Sequence, residues 1–332
     1  MDPKTMAKKR VLSGIQPTGR LHLGNLIGAI ENWVKLQDRY DCYFFIADLH
    51  ALTTAYDSSQ EMREDIKQAV IDLLSSGLDP NKCVIFKQSD MPEHSELHLL
   101  LSMVIPVPWL ERVPTYKSKI EELKGKDLGT YGFLGYPVLQ AADILIYKAD
   151  YVPVGQDQLP HIELTREVAR RFNHFYGEVL PEPKDLLTKF PVLPGLDGRK
   201  MSKSYGNTIA ISDTPETIKK KVSIMITDPA RVKKSDKGHP EVCSVYDFYK
   251  VFARDRTDTV AKECREAKRG CVECKKELAQ VLIEYLAPIH ERRKGFEKDP
   301  KKLERVLAEG ARKARGIATG TLEEAKRAMG LI

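Results

Sequence analysis

One stretch constrains this chain more than any other: Gln16-Pro17-Thr18-Gly19-Arg20-Leu21-His22-Leu23-Gly24-Asn25, because of what lies on either side of it. Before it, Arg10 to Ile15 reads as a short buried strand. After it, Leu26, Ile27, Ala29, Ile30, Trp33, Val34 and Leu36 recur at helical spacing. A loop between a strand and a helix N-terminus presents free backbone N–H groups and the positive end of a helix dipole to an anion. Gly19 and Gly24 allow close approach of backbone to ligand, and His22 and Asn25 add donors at the helix start. The same residues also suit plain turn chemistry, so the stretch by itself leaves a phosphate site and a simple turn both open.

The pattern then repeats. Asp41 to Ala47 is a second buried strand, ending at Asp48-Leu49-His50. His50 stands where an open α/β sheet puts ligand contacts, though a turn histidine reads equally well. Ser58-Ser59-Gln60-Glu61 has the form of a capping box opening a helix that runs to Gly77, and Cys83 to Phe86 is a third strand. Alternation of strand and helix predicts a doubly wound parallel sheet. Residues 92–135 read as a charged helical insertion. Tyr136 to Tyr147 predicts a further helix with Pro137 in its first turn. Asp143 lies among apolar and small residues, so it is buried and needs a donor, from within the protein or from a ligand. Tyr151 to Val154 is a fourth strand, and Gly155 to His161 a second polar strand–helix turn facing the same crevice. His161 there also fits an ordinary helix position.

At 332 residues and 42% hydrophobic, the chain can bury more than one core. The longest apolar run, Leu99 to Leu110, is too short to span a bilayer and predicts a buried helix ending in a turn. The basic start lacks the apolar segment of a secretory leader, so the expected address is cytoplasmic. A net charge of +6 permits a nucleic-acid partner without requiring one. Basic residues crowd the C-terminal region, which a solvated helical face would also explain.

From Asp213-Thr214-Pro215-Glu216 the chain reads as all helix, with Thr321 capping the last one. Four of the six cysteines lie here: Cys243, Cys264, Cys271 and Cys274, separated by 20, 6 and 2 residues. In a cytosolic chain such a cluster suits metal rather than disulfides. Cys271 and Cys274 fall at a helix start (Glu273 to Leu286), where the dipole is expected to lower a thiol pKa. The set is compatible with tetrahedral zinc or with an iron–sulfur cluster. Cys42 and Cys83 sit in predicted core strands.

Asp197 to Asn207 holds two lysines three apart among hydroxyls and glycines, which suits either a polyphosphate clamp or a basic linker. Lys200-Met201-Ser202-Lys203-Ser204 matches the KMSKS signature of class I aminoacyl-tRNA synthetases, and His22-Leu23-Gly24-Asn25 resembles their HIGH signature with Asn25 for the final His. Gln16-Pro17-Thr18-Gly19, Ala141 to Leu145 and Val152 to Gln158 with His161 to Arg166 resemble the bacterial tryptophanyl-tRNA synthetase family in particular, over most of the chain. The spacing of the four cysteines is similar to that of the subset carrying a 4Fe–4S cluster, and that cluster is expected over zinc.

The resemblance implies a Rossmann-like, HUP-type catalytic domain over 8–198 with the insertion at about 92–135, and a KMSKS loop at 199–207. It further implies a helical anticodon-binding domain with the four-cysteine site over 208–300, and C-terminal helices over 301–332 packing back on the catalytic domain. It implies activation of L-tryptophan with ATP and Mg2+, then transfer to tRNA(Trp), by a homodimer that uses neither DNA nor a membrane. Carried over, Lys200, Lys203, His22 and Asn25 are catalytic. ATP is held by Gln16, Pro17, Thr18, Gly24, Asn25, Gly155, Gln156, Asp157, Val192, Lys200, Met201, Ser202, Lys203 and Ser204. Tryptophan meets Asp143 at its indole N–H, and Tyr136, Gln158 and His50. Leu12 and Gln140 differ from the phenylalanine and methionine of some members and are not assigned as contacts. The alternatives are a tyrosyl-tRNA synthetase and, in another class, a non-catalytic iron–sulfur or zinc RNA-binding protein.

Overall fold

Strand β1 (Arg10–Ile15) is the centre of a five-stranded parallel sheet in a computed structural model that describes residues 8–57, 59–122, 127–187 and 193–332. With β2 (Asp41–Ile46), β3 (Cys83–Lys87), β4 (Tyr151–Val154) and β5 (Lys184–Leu187), the order is β3-β2-β1-β4-β5. Val11 pairs with Cys42 on one side and with Tyr151 on the other. The order of strand addition therefore reverses beside β1, and a crevice opens past the carboxyl ends of β1 and β4. That is the doubly wound fold predicted from the strand–helix alternation. β5 was not foreseen: Lys184-Asp185-Leu186-Leu187 is half exposed and polar at its start, and only pairing with β4 makes it a strand.

Several local expectations change in the tertiary context. Pro137 lies inside the helix Tyr131–Leu145, whose cap is Thr130, accepting from the Phe133 amide. The chain gives up one helical hydrogen bond there because burial of Val138, Ala141, Ala142 and Ile144 outweighs it. The helix after Asp57 is Met62–Ser75, with no side-chain cap at Glu61; Ser58 lies outside the described residues. The apolar run from Leu99 is not a buried helix. It breaks at Ser102, and Leu99, Met103 and Val107 are exposed, since Pro106 and Pro108 turn the chain before both faces can be covered. Thr321 caps nothing: it is buried inside the single helix Pro300–Ala328, because the apolar stripe through Leu303, Ala311, Ala314, Ala318 and Leu322 continues past it.

That last helix crosses β3 at Gly310, where a Cβ would meet the Ile85 carbonyl oxygen at 1.8 Å, so only glycine permits the contact. Arg315–Glu93 and Lys326–Glu96 tie its flank to the helix Pro92–Ser102. The helical C-terminal part is not a separate core. Buried residues from Val11 and Trp33 through Ile211 and Phe248 to Leu286 and Leu303 form one cluster. Among the described residues, no helix is long and apolar enough to cross a membrane.

Candidate active site

A cleft of about 370 Å³ lies at the predicted crevice. It is lined by Gln16 from the first loop, His50, Tyr136, Asp143, Gly155 and Gln158, and also by Leu12 and Gln140, the two positions left unassigned. Four separate stretches of sequence are thereby brought to one cavity. Val192 lies outside the described residues.

Asp143, which lines the cleft wall, is almost completely buried, and the internal partners that a buried carboxylate requires are present. His50 Nε2 donates to Oδ2 at 2.9 Å and His94 Nδ1 to Oδ1 at 2.6 Å. The Gln88 amide is shared between both oxygens at 2.8 and 2.9 Å. His94 Nε2 in turn shares a hydrogen bond with the Tyr147 hydroxyl at 2.7 Å. Burial alone would raise the Asp143 carboxyl, but the hydrogen bonds and charge of His50 and His94 hold it down to about 2, so it is ionised throughout the physiological range. Gln88 and His94 were missed in the sequence because nothing local marks them; each is an ordinary residue after a buried strand. Tyr136 is anchored by Thr115, which shares its hydroxyl with the phenol at 2.7 Å and with His161 Nε2 at 2.5 Å. Burial pushes the Tyr136 phenol up, so it stays neutral.

Above this pocket, the first loop enters the helix with His22 as its cap. His22 Nδ1 accepts from the Asn25 amide, and Asn25 Oδ1 accepts from the His22 amide, a reciprocal pair that satisfies two of the helix's free donors. Burial, with Lys203 nearby, pulls the His22 imidazole down to about 4, so it is neutral at pH 7. The helix that follows is π-wound over Leu26–Ile30, a departure that side-chain periodicity cannot show, and Gly28 and Ala29 there reach the cleft wall. Gly19 adopts φ +86°, a conformation open mainly to glycine, and its amide donates to Asp65 Oδ2 at 2.7 Å. Pro17 and Thr18 belong to the same turn and do not line the cleft.

The lysine loop folds against this turn. Met201 is a core residue packed beside Gly24, not a free ligand side chain. The loop is braced by Asn207, whose Oδ1 accepts from the Ser202 amide at 2.8 Å and whose Nδ2 donates to Asp197 at 2.7 Å. Ser204 points to solvent. Lys203 Nζ donates to the Gly19 carbonyl at 3.0 Å, and burial pulls its ammonium down to about 8, against the opposing charges of Asp65 and Asp72. Lys200 is exposed and paired with Asp157 at 3.3 Å, next to Gln156 on the second turn. Neither lysine lines the cleft. The two lysines thus bracket the loop rather than meet at one point.

Cys243, Cys264, Cys271 and Cys274 all line one further cavity of about 30 Å³, with Arg231 and Arg269 in its wall. Among the described residues no three His, Cys, Asp or Glu side chains are gathered tightly enough to hold a single metal ion. The expected lowering of thiol pKa is not found at Cys274, where partial burial in the four-cysteine cavity at the start of the helix Cys271–Glu297 pushes it up to about 12. Cys243 and Cys264 are also raised, by burial.

Residues 4–287 match the family model described as tRNA synthetases class I (W and Y). The chain is 52% identical over 326 residues to the tryptophan–tRNA ligase of Thermotoga maritima, spanning 97% of this chain and 99% of that one. It is 46% identical to that of Aquifex aeolicus, spanning 97% and 100%. A Campylobacter jejuni tryptophanyl-tRNA synthetase solved with ADP and tryptophan superposes with a TM-score of 0.87 at 35% identity, covering 97% of this chain and 100% of the other.

Proposed function

This chain belongs to the class I tRNA synthetases of the tryptophan and tyrosine type, and we infer that it is a tryptophan–tRNA ligase. The observation that carries the substrate assignment is the buried, ionised Asp143 on the wall of a cleft that also holds Gln16, Gly155 and Gln158. In this reading L-tryptophan lies in the cleft with its indole N–H toward Asp143 and His50, and its ammonium toward Tyr136 and Gln158. ATP with Mg2+ lies over the first loop and the Gly155-Gln156-Asp157 turn. The amino-acid carboxylate attacks the α-phosphate, pyrophosphate leaves, and the adenylate passes its acyl group to the 3′ end of tRNA(Trp). No covalent enzyme intermediate is required, so catalysis rests on positioning and on stabilising charge at the leaving pyrophosphate. In this reading Lys203, beside the first loop, and Lys200, beside the second turn, supply the positive charge that meets the pyrophosphate. Neutral His22 and Asn25 hold the helix N-terminus whose dipole faces the phosphates.

Amino-acid-dependent ATP–pyrophosphate exchange, run with tryptophan and with tyrosine and without tRNA, tests this. Exchange with tryptophan alone is expected. Exchange with tyrosine alone would make it a tyrosyl-tRNA synthetase and reassign Asp143 to a phenol, and exchange with neither would favour the non-catalytic reading.

We also propose that the four cysteines, which line one cavity with Arg231 and Arg269 to offset the thiolate charge, hold a 4Fe–4S cluster. A cluster there would cross-link the segment before the helix Ser244–Phe252 to the helices Thr257–Arg265 and Cys271–Glu297. Cys271→Ser should abolish the brown colour and iron content of anaerobically purified protein; colourless wild type holding zinc would reverse the assignment. The helical region from 208 to 300 is proposed to bear on the anticodon, and the protein to act as a homodimer in the cytoplasm.

A further inference from the structure

Helix Met62–Ser75 carries two carboxylates seven residues apart, Asp65 and Asp72, and therefore on nearly one face. Asp65 accepts from the Gly19 amide. Asp72 is completely buried; burial pushes its carboxyl up to about 6, against the charge of Arg293 and the nearby Leu21 amide. The two carboxylates thus bear on two nearby amides of the loop assigned to ATP, and both act on the ammonium of Lys203.

Asp72 is itself fixed from the other end of the chain. Arg293, on helix Cys271–Glu297, is almost completely buried and donates from Nη1 to Asp72 Oδ1. Its other terminal nitrogen donates to Gln68 at 2.7 Å and to Glu297 at 3.0 Å, and neighbouring Arg292 donates to the Ser75 carbonyl. A buried guanidinium with three acceptors holds one geometry. Asp72 Oδ2, by contrast, is buried without a hydrogen-bond partner, an arrangement that stability alone does not favour.

We propose that Asp72 and Arg293 are positioning residues for the nucleotide loop: the pair locks helix Met62–Ser75 onto helix Cys271–Glu297 and so sets where Asp65 holds the Gly19 amide. The proposal rests on the assignment of that loop to ATP. Tryptophan binding, organised around Asp143 by His50, Gln88 and His94, is independent of it.

Asp72→Asn, Arg293→Gln, the double variant and Arg293→Lys are compared with wild type in tryptophan-dependent ATP–pyrophosphate exchange, alongside calorimetric titration with tryptophan and with a non-hydrolysable ATP analogue. Each neutralising variant is expected to raise KM for ATP about tenfold, the scale of a small misplacement of a binding loop, with tryptophan affinity within about twofold of wild type. The double variant should be no worse than either single, since both changes break one pair. It also leaves no buried charge unpaired, so it keeps the test open where a single variant unfolds. Arg293→Lys keeps the charge and the fold but loses the planar fork, and should give a smaller rise in KM for ATP. Lower thermal stability with KM for ATP unchanged, or equal loss of ATP and tryptophan affinity in a folded variant, overturns the proposal. Wild type that shows no exchange fails the ligase reading instead, and titration with the ATP analogue then judges the positioning role by itself.

Discussion

The two halves of the site are built on opposite principles. On the tryptophan side, Asp143 is sealed in, ionised, and held by three side chains whose own positions are fixed by the core. On the nucleotide side, the Lys200 ammonium is exposed and paired with Asp157, while Lys203 and the Gly19 amide are occupied by partners within the protein. The first half needs no ligand to take its shape. The second is closed by contacts that, in the proposed function, phosphate would replace. The difference follows from what each must do: telling one side chain from another calls for a rigid buried group that a wrong ligand leaves unpaired, whereas following charge from ATP to pyrophosphate calls for donors that can be released.

Lys203→Ala is the strongest attack on that contrast. It should slow adenylate formation in a single turnover by about 10²–10³-fold, the scale for loss of one charge-stabilising donor, and leave tryptophan affinity unchanged. Loss of tryptophan affinity as well would merge the two halves. Asp143→Ala acts on the other side. Tryptophan should bind roughly 10- to 150-fold more weakly, matching a hydrogen bond to a charged group, while ATP affinity holds. Equal losses would mean that the pocket had collapsed.

A pH profile sharpens the nucleotide half. With Lys203 near 8, raising pH removes the positive charge that meets the phosphates, so kcat/KM for ATP should fall above pH 8, approaching tenfold per unit. Lys203→Arg, charged at all accessible pH, should remove that limb; a limb that persists belongs to another group. The smallest effect concerns the exposed ion pair. Asp157→Asn should change thermal stability by no more than about 1 kcal/mol, because a pair open to solvent contributes little; a larger loss in a melting experiment would mean that the Lys200 loop is held more firmly than its exposure suggests.

Much of this was legible in the sequence because it is local. The first loop, the second polar turn and the lysine loop announce themselves through glycines, prolines and polar residues at strand ends, and β1 to β4 through short apolar runs. A buried polar residue such as Asp143 is legible for the same reason: its neighbours are apolar. Where local signals competed with packing, packing won. Thr321 has the form of a cap, but the apolar stripe runs on past it; Cys274 stands at a helix start, but burial outweighs the dipole. β5 and the π-wound turn at Leu26–Ile30 leave no periodic trace at all.

By itself, then, the sequence determined four of the five strands, which loops could offer phosphate-binding donors, in what order they come, and that a carboxylate would be buried next to them. Which side chains hold those groups was decided only by the tertiary structure. Gly19 meets Asp65 across 46 residues, Asp143 meets His94 across 49, and Arg293 meets Asp72 across 221. Hydrogen bonds of that span depend on the register of packed helices and strands. That register is set by the sum of many small apolar contacts, and no short stretch of sequence carries it.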